Sequence, residues 1–193
     1  MDSSNEIEVP EVIPVMTLKG TVLFPHAVMP LFIFEERYQE MLRDVLKNHR
    51  LFAIFNENRD GSGEGHEERP ASMGTVGVVR AAHENPDGTS NLALQGIVRV
   101  RLKEIVQESP YRMVRIETCP DAGASELTGS GLREHILSIL DKQPALAADL
   151  PEEYVNFIQS ISEPASFIDV AIHALCQCPK VKQDLLETRH LPD

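Results

Sequence analysis

The chain has 193 residues, 42% of them hydrophobic and 25% charged, with three cysteines, no tryptophan and a formal net charge of −12. That length buries the core of one large domain or two small ones, and the balance is ordinary for a globular protein. The charge disfavours polyanions such as nucleic acid, no apolar run approaches the ~20 residues of a membrane span, and three thiols do not complete a disulfide framework.

The start, MDSSNEIEVPE, is acidic and polar. It has neither the basic n-region nor the apolar h-region of a secretory signal, so the expectation is a cytoplasmic protein with a frayed acidic arm over 1–11. Val12 to Leu18 reads as a first strand. LFPHAVMPLFIFEERYQEML follows at 23–42. Pro25 and Pro30 exclude helix there and favour extended backbone at a sheet edge or bend. From Glu35, the apolar residues Tyr38, Met41, Leu42, Val45 and Leu46 fall on one face of a 3.6-residue period, and Asn48 is a plausible stop. LFAIF at 51–55 reads as a strand buried on both faces.

Residues 56–72 form a polar, Gly-rich stretch. Val76, Val78 and Val79 mark the next strand. NPDGT at 85–89 is a turn, with Pro86 at its second position and Gly88 free to take positive φ. Leu92 and Leu94, then Val98, Val100 and Leu102, alternate with polar residues, and YRMVRIE gives a last strand. PDAGASELTGSG reads as a joint, placed at 122–131. Beyond it every segment has helical period. Leu132, Ile136, Ile139 and Leu140 mark one helix, and Pro151 opens a second. Pro164 opens a third that is apolar nearly all round, and Pro179 ends it before a fourth. The division expected is a β-rich part at 12–121 and an all-helical part at 132–193.

No lysine follows a glycine, so there is no phosphate loop, and no G-x-S-x-G elbow is present. In HALCQC, a continuous helix places Cys178 about 200° around the axis from Cys176, so the two thiols point apart and core cysteine is the better reading than metal ligation. Glu35, Glu36 and Glu40 read as a solvated helix face. The basic run VRVRLK with Arg112 and Arg115 is a local positive patch. Cross-strand ion pairs explain it more simply than phosphate contact.

Taken in order, LFPHAVMPLFIFEERYQEML, LFAIF, MGTVGVVRAAHENPDGTSNLALQGIVRVRLKEIV and YRMVRIE resemble the N-terminal domain of the Lon family of ATP-dependent proteases. ISEPASFIDVAIHAL with KVKQDLLET resembles that domain's helical second half. The resemblance implies an α+β fold: a PUA-like small β-barrel with one packed helix, then an all-helical subdomain. It implies capture of polypeptide substrates, with unfolding and a serine–lysine dyad supplied by separate ATPase and protease modules. FIFEERYQEML is more like the short stand-alone members of the family. The expected function is therefore non-enzymatic recognition of unfolded or apolar polypeptide, as a substrate-recognition or adaptor unit, with no catalytic residue, cofactor or metal. Partners are client polypeptides and a protease or ATPase, with no membrane. The alternatives are RNA contact through Arg99, Arg101, Arg112 and Arg115, the N-terminal fragment of a complete protease, and hydrolysis by the chain itself.

Short strands fill a barrel with alternate residues. Some of Leu31, Phe32, Ile33 and Phe34 are therefore expected in the core. Part of the set Phe24, Met29 and Phe32 is expected at the surface, and the protein-binding residues expected are Phe24, His26, Met29 and Phe32.

Overall fold

The short-period patterns of the sequence resolve into six strands and five helices among residues 7–57, 69–120, 126–148 and 150–188, which the computed structural model describes. The strands are β1 (Val12–Leu18), β2 (Val28–Ile33), β3 (Leu51–Glu57), β4 (Pro70–Glu84), β5 (Ser90–Gln107) and β6 (Met113–Thr118). The helices are α1 (Glu36–Lys47), α2 (Glu126–Lys142), α3 (Glu152–Ser160), α4 (Pro164–Leu175) and α5 (Pro179–Glu187). Much of the arm expected at 1–11, most of the polar stretch at 56–72 and part of the joint lie outside the described residues.

The fold is mixed α+β. The strands follow the order β2-β5-β4-β3-β1-β6, and β5 also pairs with β6, so the hydrogen-bonded ladder closes into a ring. Among the described strands only β1 and β3 run parallel. The length of β5 makes this possible: its first part, Ser90–Gln95, carries β2, and its later part pairs with β6. Ile13, Val15, Leu51, Ala53, Phe55, Val76, Val78, Val100, Val114 and Ile116 form one buried cluster on the ring. A second cluster joins the sheet to the apolar face of α1 through Phe24, Ile33, Tyr38, Met41, Leu42, Phe52, Ile54 and Leu94, and includes Leu186 of α5. The helical part has its own core around Ile158, Phe167, Ile168, Val170 and Ala171.

Two helix boundaries differ from the sequence reading. α2 starts at Glu126, inside the segment read as a joint, and runs through Gly129 and Gly131. Each interior glycine costs about 1 kcal/mol against alanine. The packing of Leu132, Ile136 and Leu137 onto the third core offsets that. Pro179 opens α5 instead of ending α4, which stops at Leu175 with Cys176 as its cap.

The segment between β1 and β2 folds back onto β5. His26 N–H donates to Gly96 O at 2.9 Å, and Gly96 N–H donates to Ala27 O at 2.9 Å. A Cβ at Gly96 would collide with the Phe24 carbonyl. Gly96→Ala therefore forces this segment off the sheet. It is expected to lower the urea midpoint by the equivalent of about 2–3 kcal/mol, in the range of overpacking a tight site. An unchanged midpoint would show that the segment is loosely held.

Candidate functional site

β2 alternates strictly. Met29, Leu31 and Ile33 turn inward, where Met29 and Leu31 pack half-buried against the second cluster and Ile33 is buried. Val28, Pro30 and Phe32 turn outward, and Phe34 continues that row one step beyond the strand. Val28 is 47% exposed, Phe32 55% and Phe34 62%. The Phe32 and Phe34 rings stack with centroids 6.0 Å apart. Cross-strand register sets Pro30 beside Ala93 and Ala81, and Phe32 beside Asn91 and His83. The result is an apolar stripe on an exposed three-stranded arm, fringed by polar side chains.

Ala27 C=O faces Gly96 on β5. With the two-residue alternation of a strand, the backbone groups of Met29, Leu31 and Ile33 also face β5, and those of Val28, Pro30 and Phe32 face the other edge. Among the described residues no strand pairs with that edge. Pro30 brings no N–H to it, which blunts indefinite strand addition. The stripe therefore offers side chains more than a backbone ladder.

The four residues expected from sequence separate. Phe32 is exposed, Met29 is half-buried, and His26 is exposed with φ 64° in the turn before β2. Phe24 is fully buried, which corrects its placement at the surface. Its ring lies edge-on to His173, 6.4 Å between centroids, and under the Arg99 guanidinium at 5.8 Å. The fold-back over Gly96 presses it there. Val28, Pro30 and Phe34 belong to the stripe, and the sequence reading did not select them. Pro30 was the available signal, because proline within a strand marks an outward-facing edge position.

The basic strand is engaged in ion pairs. Arg101 and Lys103 reach Glu117 at 3.9 and 2.5 Å, Arg115 reaches Glu104 at 2.8 Å, and Arg112 reaches Glu108 at 2.9 Å. Arg99 is buried. Its Nη1 donates to Asp169 Oδ2 at 2.9 Å, its Nη2 binds Oδ1, and its Nε donates to Leu186 O at 3.3 Å. One side chain on β5 thus ties α4 and α5 to the sheet. Gln183 Nε2 adds a bond to Met73 O at 3.1 Å. A small cleft of about 190 Å³ beside this junction is lined by Pro25, His26, Ile97, Val98, Arg99, Cys119 and Pro120. It falls below the ~300 Å³ at which ligand pockets begin.

The HALCQC segment also differs from expectation. The helix breaks at Cys176, which is half-buried, and Cys178 is exposed as the cap of α5, so neither is a core cysteine. Among the described residues no group of three or more His, Cys, Asp or Glu is placed to hold a metal ion. His173 packs instead against Phe24, and its Nδ1 is buried without a hydrogen-bond partner. Burial, and then the charge of Lys182, push its pKa down to about 4, against a weaker opposing bond to the Val22 backbone. The unfolded chain therefore takes up this proton at higher pH than the folded one. The stabilisation is complete above pH 6.5 and is lost as pH falls from 6.5 towards 4. The loss is on the order of 3 kcal/mol. Urea melts at pH 7 and pH 5 check it: the wild type should lose stability on acidification, and His173→Leu should lose distinctly less.

A closed ring of strands, backed by helices, thus carries an uncovered apolar stripe. The fold is shared with solved Lon N-terminal domains. The N-terminal domain of the Mycobacterium avium complex Lon protease matches with a TM-score of 0.68 at 16% identity, over 92% of this chain and 90% of that one. The Lon N-terminal domain protein from Xanthomonas campestris matches at 0.50 and 23% identity, over 81% and 94%. Among curated relatives, the Lon protease of Dictyoglomus thermophilum is 25% identical over 181 residues, 94% of this chain and 23% of that protein. Lon protease 1 of Herpetosiphon aurantiacus is 29% identical over 202 residues, 93% of this chain and 24% of that protein. The chain spans under a quarter of the length of these relatives. Residues 12–193 match the substrate-binding domain of ATP-dependent protease La (LON), and the chain belongs to that family.

Proposed function

We propose that this chain is a non-enzymatic recognition module that captures unfolded or apolar polypeptide segments and serves a protease or ATPase, as an adaptor or as the front end of a complete Lon machine. In this reading the closed strand ring is a PUA-like barrel, the helical part is its companion subdomain, and the setting is the cytoplasm. No described helix is long and apolar enough to cross a membrane. The observation that carries the reading is the row Val28, Pro30, Phe32 and Phe34, uncovered on an exposed strand. Contiguous apolar surface of this kind marks protein-docking sites.

RNA contact draws no support from the arginines, since Arg99 is buried and Arg101, Arg112 and Arg115 are held in ion pairs. The test of the leading reading is an anisotropy titration of a labelled unstructured polypeptide against the full chain. Saturable binding is expected, with no cleavage of the probe. A flat titration overturns the reading, and turnover by the pure chain replaces it with hydrolysis.

A further inference from the structure

The stripe is not electrically neutral along its length. The register Ile33–Ser90–Glu84 brings the start of α1 and the β4–β5 turn to the same end of the arm, the end that carries Phe34. That end holds Glu35, Glu36 and Asp87, and also Glu84, which shares the face of Ile33, opposite the stripe. Its guanidinium, Arg37, is bound to Glu35 at 2.8 Å. Glu36, Glu84 and Asp87 are exposed. Asp87 is fixed at the tip, where its Oδ1 accepts from Thr89 N–H at 3.0 Å and from the Thr89 hydroxyl at 2.6 Å. Hydrogen bonds from Thr89 hold its carboxyl below the usual range, so it is charged at neutral pH. At the opposite end Arg80 is exposed near Val28, its Nε donating to Gln95 Oε1 at 2.7 Å, and the exposed Glu163 lies within electrostatic reach of His26.

We propose that the stripe selects apolar segments flanked by lysine or arginine, with the basic flank lying over the Phe34 end. This rests on the reading of the stripe as a polypeptide-docking face. β4 runs two strand spacings, about 10 Å, from β2, so the turn that carries Asp87 lies within about that distance of the Phe34 end. That is about one Debye length at 0.1 M salt, so the carboxylates act on a bound segment and the effect fades as salt rises. The stacked Phe32 and Phe34 rings add a face on which a guanidinium or ammonium can sit. A carboxylate in the same place meets repulsion from several sides and gains nothing from the rings. The formal net charge of −12 works in the same direction over longer range.

The test uses three labelled peptides with one apolar core, flanked by lysine, glutamine or glutamate, titrated against the full chain at low and high salt. The lysine-flanked peptide should bind at least roughly tenfold tighter than the glutamate-flanked one at low salt, the scale set by two or three partly screened charge contacts. The gap should close at high salt. Glu36→Gln/Asp87→Asn should narrow it while leaving the glutamine-flanked affinity unchanged. Equal binding of lysine and glutamate flanks, with the glutamine-flanked peptide still bound, overturns the charge selection and leaves the docking reading standing. Failure of all three peptides sinks both. Sedimentation that shows a dimer, dispersed by Phe32→Ser/Phe34→Ser, assigns the stripe to a second copy and also overturns the proposal.

Discussion

Asp169→Leu is expected to lower the unfolding free energy by about 3–5 kcal/mol, the usual cost of removing one partner from a buried ion pair. The side chains of Arg99 and Asp169 are 7% and 4% exposed. Without Asp169 the guanidinium stays buried beside Phe24 with a carbonyl, Leu186 O, as a remaining partner. The pair is a fixed two-pronged contact between β5 and α4, so the damage should spread through the junction. Amide exchange should rise in α4 and α5 before it rises in β3 and β4. The double variant Arg99→Met/Asp169→Leu separates charge from shape. Replacing both ions with apolar groups of similar volume removes the unpaired charge, and most of the lost stability should return. Urea melts of the two variants decide the matter. A cost below about 1 kcal/mol for Asp169→Leu would mean that water reaches the junction and that the helices are held by their other contacts, Leu186, Gln183 and His173 among them.

That pair also shows where sequence reading stops. Arg99 and Asp169 are 70 residues apart, and nothing in either local pattern points to the other. Asp169 sits in the apolar run FIDVAI, where a period-based reading sees only a minor interruption. Local patterns succeeded where burial follows periodicity. The buried face of α1 is Tyr38, Met41, Leu42 and Val45, and LFAIF is buried on both faces as β3. Gly88 takes φ 85° in the turn expected of it. They failed in the segment that forms the stripe. From Val28 to Phe34 every residue is apolar, so a period of two carries no hydropathy contrast and cannot say which row faces out. Phe24 was misplaced for a related reason. It lies outside any regular element, and its burial depends on the fold-back that only Gly96 permits.

Phe32→Ser/Phe34→Ser should abolish most binding of unstructured polypeptide and leave the fold intact. Both rings are more than half exposed, so folding removes little of their surface from water, and truncation should shift the urea midpoint by less than about 0.5 kcal/mol each. In the proposed complex the same rings would be the aromatic anchors. Loss of an anchor at the centre of a docking surface costs about 2 kcal/mol or more, roughly thirtyfold in affinity. Phe24→Ser supplies the contrast. Its side chain is 0% exposed, and truncation should cost about 3–5 kcal/mol of stability. Any binding defect it shows should then track the fraction unfolded and vanish when binding is scored per folded molecule. Affinity and stability must therefore be measured on the same preparations. If Phe32→Ser/Phe34→Ser binds as tightly as the wild type, the outward row is not where polypeptide docks. If it unfolds the chain, the row is core.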